Sequence, residues 1–248
     1  MKLVQPTRKQ PALQVAPGGG AAETPYPDYD VASRDKWALD WDEKTRRLVQ
    51  DRLRNVPPYR FFSPAEADLL TALCARALPQ DDRPPDARVP IAPWIDERLH
   101  RGKGDGYRYA DMPDDGEAYR RGLQGIDETA TLLFHAPFVR LDAERQDAVL
   151  RRVAGGTPPG AAWDHLPAKR FLQELMSDVI SNYYAHPAAW AEIGFNGPAS
   201  PRGHIRLALG KRDPWEARER RPRSSVELVR RALEAAGGGA HAAGGATH

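Results

Sequence analysis

Residues 167–184 read PAKRFLQELMSDVISNYY, and Phe171, Leu172, Leu175, Val179, Ile180 and Tyr183 recur there every three or four positions. That period lays the apolar side chains along one face of an α-helix, so the segment is expected to be helical and half buried. Working outward, the same period returns almost everywhere. Asp42 is placed to cap a helix carrying Leu48, Val49, Leu53 and Val56, stopped by Pro57 and Pro58. Ser63-Pro64-Ala65-Glu66 combines a capping serine, a proline at the first helical position and a glutamate that completes a capping box. The helix it starts buries Leu69, Leu70, Leu73 and Ala77 and ends at Pro79. A third helix is expected from near Pro93, burying Trp94, Ile95 and Leu99. A fourth runs from about Asp115 to Phe134, with Tyr119, Leu123, Ile126, Ala130 and Leu133 on one face. Gly122 and Gly125 lie inside it, each costing about 1 kcal/mol relative to alanine, which implies close approach of a neighbouring element. Asp142 opens a shorter helix with Val149, Leu150 and Val153, and Ser224 with Glu227 opens a last one over 224–236.

No alternating β-branched run exceeds a few residues, and no internal repeat is present. The expected fold class is therefore all-α: a single irregular helical domain of about six or seven helices with long Pro/Gly-rich loops and disordered termini. The expected organisation is a disordered tail over 1–25, a helical domain over 26–210, a basic linker and helix over 211–236, and a disordered tail over 237–248. The 23 prolines and 21 glycines among 248 residues account for the loops, and 41% apolar residues suffice for one core.

Charge narrows function. With 36 basic and 34 acidic residues the net charge is +2, unlike the basic excess of a dedicated nucleic-acid binder. Cys74 is the only cysteine, which excludes an internal disulfide, and its place beside Leu73 suits a small buried apolar residue. No run of about eighteen apolar residues predicts a membrane span. MKLVQPTRKQPALQVAPGGG has neither an apolar signal core nor twin arginines. The expected location is the cytoplasm, or the periplasm if a partner carries the export signal.

Chemistry-bearing patterns are weak. Gly102, Gly104 and Gly106 imitate a phosphate-binding turn, but a helix precedes them where a strand is required. Asp105, Asp111, Asp114, Asp115 and Glu117 lack the alternate-ligand spacing of a calcium loop; their plainer role is at the N-terminus of the fourth helix, where its dipole favours acids. Two alternatives follow from these residues and the basic run. One is a stand-alone helical enzyme using a metal at the 102–117 loop. The other is anionic-surface binding through Arg218–Arg223, against which stands the acid within that run. No catalytic set, metal cage or cofactor cradle emerges, so none is expected in this chain.

Residues 183–207, YYAHPAAWAEIGFNGPASPRGHIRL, point elsewhere. Four large aromatics, Tyr183, Tyr184, Trp190 and Phe195, run into a stretch carrying Gly194, Gly197, Pro198, Pro201 and Gly203, a rigid loop that reads as a shaped surface for a protein partner. His186, before Pro187, is placed to orient the loop by a hydrogen bond. The expected partner-binding residues are Tyr184, His186, Trp190, Phe195, Asn196 and Arg202.

Together, RFFSPAEADLLTALCARALPQDD (60–82), VPIAPWIDERL (89–99), YRRGLQGID (119–127) and YYAHPAAWAEIGFNGP (183–198) resemble the gluconate 2-dehydrogenase subunit 3 family, over about Tyr29 to Leu207. The resemblance implies a non-catalytic small subunit of a membrane-associated dehydrogenase complex. Its partners would be an FAD-dependent large subunit of the glucose–methanol–choline type, oxidising a sugar, sugar acid or polyol, and a cytochrome subunit carrying haem c. The small subunit would bind the flavoprotein and support its maturation, holding no cofactor itself. Many members of that family begin with a twin-arginine signal, from which this chain departs.

Overall fold

Six α-helices and four short 3-10 turns make up the regular structure of the residues described in the computed structural model, 41–104, 109–195, 197–199, 203, 206 and 209–211. In chain order they are α1 (Glu43–Arg54), α2 (Pro64–Ala77), α3 (Ile91–His100), α4 (Asp115–Phe134), α5 (Ala143–Ala154) and α6 (Ala168–Ala185). The 3-10 turns are Pro85–Ala87, Phe138–Arg140, Ala161–His165 and Pro187–Ile193. Among the described residues there is no strand, and no helix is long and apolar enough to cross a membrane. The tails and the 224–236 helix expected from the sequence lie outside the described residues.

Local chemistry sets the boundaries. Asp42, Asp114 and Asp142 cap α1, α4 and α5, each accepting from a backbone amide three residues on. Ser63 and Glu66 form the capping box that starts α2. α3 begins at Ile91, two residues before the expected Pro93. Proline is tolerated there because the first-turn amides of a helix have no intrahelical acceptor.

α4 is the centre of the assembly, packing on α2, α5, α6 and two of the 3-10 turns. Leu70, Leu73, Ile95, Ile126, Ala130, Phe138, Val149, Phe171, Leu175 and Val179 form the solvent-free core. Both α4 glycines face a ring: a Cβ on Gly122 would overlap Phe171, and one on Gly125 would stand 2.5 Å from Trp163. Cys74 is buried in this core, and burial pushes its thiol up to about 12.

Several stripe residues turn outward instead. Leu133 and Ile180 are exposed because Phe134 packs against the core at the end of α4, and the inward ladder of α6 is Phe171, Leu175, Val179 and Tyr183, four residues apart. Leu48 is exposed as well, since α1 buries only Val49 completely, and Val56, expected on that helix, is exposed beyond its end at Arg54. Trp94 is half-buried, beneath the Arg52 guanidinium at 4.2 Å.

One polar joint was not anticipated. Asp96, fully buried on α3, accepts the amides of Arg60 (2.7 Å), Phe61 (3.1 Å) and Phe62 (2.9 Å). Asp96→Asn is expected to cost about 2 kcal/mol in denaturant melts, because a carboxamide offers one acceptor oxygen to three donors. Gly122→Ala should destabilise by about 1–3 kcal/mol through overlap with Phe171, although alanine gains about 1 kcal/mol in helix propensity. A stabilised Gly122→Ala protein would show that Phe171 moves aside freely.

Candidate docking site

The segment after α6 is folded over its own tryptophan. His186 ends α6 and caps the Pro187–Ile193 turn, its Nδ1 accepting the Ala188 amide at 3.3 Å. Trp190 is buried and donates its indole N–H to the Tyr184 carbonyl at 2.9 Å. Gly194 takes a left-handed conformation (φ 63°) and reverses the chain. Phe195 then returns edge-on to Trp190, with ring centroids 5.1 Å apart. Gly197, also left-handed, brings its backbone against Trp41 and Trp190, where a Cβ would come within 2.5 Å of the Trp41 ring. Trp41 closes the arrangement by donating to the Pro198 carbonyl at 2.9 Å.

Charge fastens the other side. Arg83 bonds the Ala188 carbonyl at 3.1 Å, pairs with Glu192 and lies over the Tyr183 ring. The Tyr183 hydroxyl donates to Glu192 at 2.6 Å, and burial, with that carboxylate, raises its pKa above the ordinary tyrosine range. His186 goes the other way: burial first, then the Arg52 cation, hold it down at about 4.

The expected contact residues therefore divide. Tyr184 is 37% exposed and Phe195 44% exposed, and Ile193 beside them is 49% exposed. His186 and Trp190 are interior and shape the turn from beneath. Asn196 and Arg202 lie outside the described residues, as does the Arg218–Arg223 run. Sequence reasoning missed Trp41, although an aromatic next to the Asp42 cap is a local cue for a helix entry that packs.

The 102–117 loop is only partly described, since 105–108 lie outside the described residues. Asp114 caps α4, Asp115 pairs with Arg98 at 2.5 Å and Glu117 pairs with Arg121 at 2.6 Å. Among the described residues no group of three or more His, Cys, Asp or Glu is placed to hold a metal. A cavity of about 250 Å³ opens where the loop meets α3, α4 and α6, lined by Arg98, Tyr109, Asp115, Phe171, Glu174 and Asp178 among others. Arg98 pairs there with both Asp115 and Asp178, and Tyr119 also donates to Asp178.

Fold and site define an all-helical chain that presents a rigid aromatic turn at its surface. The chain belongs to the gluconate 2-dehydrogenase subunit 3 family, whose pattern it matches over residues 64–197. Membership makes it a small subunit of a dehydrogenase complex, and the match takes in α2 to α6 and the whole aromatic turn. No curated protein and no solved structure is similar enough to match it.

The His186 environment has a pH signature. Its folded pKa, about 4, is below the unfolded value of about 6.5, so the unfolded chain binds the proton first as pH falls. Stability should be unaffected above pH 6.5 and decline between 6.5 and 4, by about 2 kcal/mol after allowance for partial solvation. The difference between wild type and His186→Gln in denaturant melts at pH 7 and pH 4.5 measures this contribution; an identical pH profile in the two would refute it.

Proposed function

We propose that this chain is a non-catalytic small subunit that binds a flavin-dependent dehydrogenase of the glucose–methanol–choline type and helps to mature or stabilise it. In this reading the large subunit carries FAD and oxidises a sugar, sugar acid or polyol, and a cytochrome subunit with haem c takes the electrons. This chain contributes binding surface and no redox group.

The observation that carries the reading is the exposure of three large apolar side chains, Tyr184 at the end of α6 and Ile193 and Phe195 at the end of the Trp190 turn, read here as one ridge inside the family-matched region. An aromatic ridge fixed from below loses little side-chain entropy on docking, so more of its contact energy survives as affinity. The Arg83–Glu192–Tyr183 network and the Trp190 bond to Tyr184 supply that fixation.

Gentle purification of the tagged chain from its host should bring down a stoichiometric flavoprotein, visible in the flavin absorbance spectrum. Phe195→Asp and Tyr184→Ala should each reduce that recovery at least ten-fold, equivalent to about 1.4 kcal/mol, with circular dichroism unchanged. A colourless protein without a partner, from cells expressing the flavoprotein, would remove the stable-subunit reading. Undiminished recovery by both folded variants would remove the ridge as the contact.

A further inference from the structure

We propose that the cavity framed by α3, α4 and α6 is a binding site for an organic cation, an ammonium or guanidinium head on a short apolar stem. The site stands on its own geometry and does not rest on the accessory-subunit reading.

One side of the cavity is a set of charges that satisfy one another. Arg98 of α3 pairs with Asp115 of α4 and Asp178 of α6, and the Tyr119 hydroxyl also donates to Asp178. The Arg98 Nη1 donates to the Lys103 carbonyl as well, at 3.0 Å, so both terminal nitrogens of this guanidinium are engaged. An anionic ligand would have to displace one of those partners.

Glu174 is different. It lies one turn before Asp178 on α6, on the same face, and lines the same cavity. The side chain is half-buried, and no hydrogen bond or ion pair engages its carboxylate among the described residues. Arg170, four residues earlier, is its natural helical partner. That guanidinium instead lies over the Tyr109 ring at 3.6 Å and bonds Gln173 at 3.3 Å. The lining residues therefore set three carboxylates, Asp115, Glu174 and Asp178, against the single guanidinium of Arg98. A surplus of one sign in a recess with low-dielectric walls concentrates the potential there. A partly desolvated carboxylate gains from a cation that replaces its lost water.

The remaining wall suits the stem of such a cation. Tyr109, Met112, Tyr119 and Phe171 supply rings and a thioether, and aromatic faces attract ammonium and guanidinium groups. The Arg170–Tyr109 stack is an instance of that attraction at the same wall. A volume of about 250 Å³ falls just below the usual range of about 300–1,000 Å³ for ligand pockets, which restricts the occupant to a small one.

The test is calorimetric titration of the full-length protein with three molecules of similar size and different charge: phenethylammonium, 2-phenylethanol and phenylacetate. Phenethylammonium should bind saturably, about ten-fold or more tightly than either of the others. Glu174→Gln keeps the size of the side chain and should weaken phenethylammonium about ten-fold, with circular dichroism and binding of the alcohol as in wild type. No saturable binding of the cation, equal binding of cation and alcohol, or undiminished binding by folded Glu174→Gln would each overturn the site. In the host the cation can be a free amine or a lysine or arginine of a protein partner. Native mass spectrometry of gently purified protein separates the two. A small cation retained by wild type and lost in Glu174→Gln marks the free amine. Reduced flavoprotein recovery in Glu174→Gln marks a side chain of the partner, and that arm alone rests on the accessory-subunit reading. Neither change would overturn the site as one occupied in the host.

Discussion

The Asp96 carboxylate, wholly withdrawn from solvent, accepts hydrogen bonds from the three successive amides of Arg60, Phe61 and Phe62. A buried carboxylate is tolerated only where donors replace its hydration, and three convergent amides provide that replacement. The joint fixes how the chain enters α2, and through it three helices share one corner. Phe62 is set against Tyr119 of α4 with ring centroids 6.1 Å apart. Phe61 packs on Gly116 at the start of α4 and lies beneath the Arg120 guanidinium. Tyr119 carries the contact onward to Phe171 of α6.

Two residues along α3 from Asp96, Arg98 reaches Asp115 and Asp178. Burial works against its charge, but Asp178, Asp115 and Tyr119 outweigh that and raise its pKa above the ordinary arginine range. Burial and Asp178 together push the Tyr119 hydroxyl well above the usual tyrosine value. The cluster ties α3, α4 and α6 by charge where Asp96 ties α2 to α3 by amides. On that side the cavity is bounded by groups already engaged in holding helices together.

Helix existence and capping were legible because they are local. Asp42, Ser63, Asp114 and Asp142 each cap within three residues, and the apolar period of α4 named Tyr119, Leu123, Ile126 and Ala130 correctly as interior. Stripe edges were not legible: Leu133 and Phe134 compete for one inward direction, and neighbouring elements decide between them. The polar joints were illegible for the same reason. Asp96 meets amides more than thirty residues earlier, and Arg98 meets Asp178 eighty residues later, so no spacing rule reports either. The two α4 glycines were readable as close approaches, but not the rings that fill them.

The aromatic turn shows how that limit bears on function. Composition marks Tyr183, Tyr184, Trp190 and Phe195 alike, yet the chain sends Tyr183 and Trp190 inward and leaves Tyr184 and Phe195 out. The division depends on Trp41, whose hydrogen bond to Pro198 spans nearly the whole described chain. Burial of Trp190 is what makes exposure of Phe195 useful. The inner ring supplies a fixed edge-on platform at 5.1 Å, and the outer one is held where solvent alone would let it fold back. The interior aromatics thus belong to the same device as the exposed ones, as the support that keeps the surface in shape.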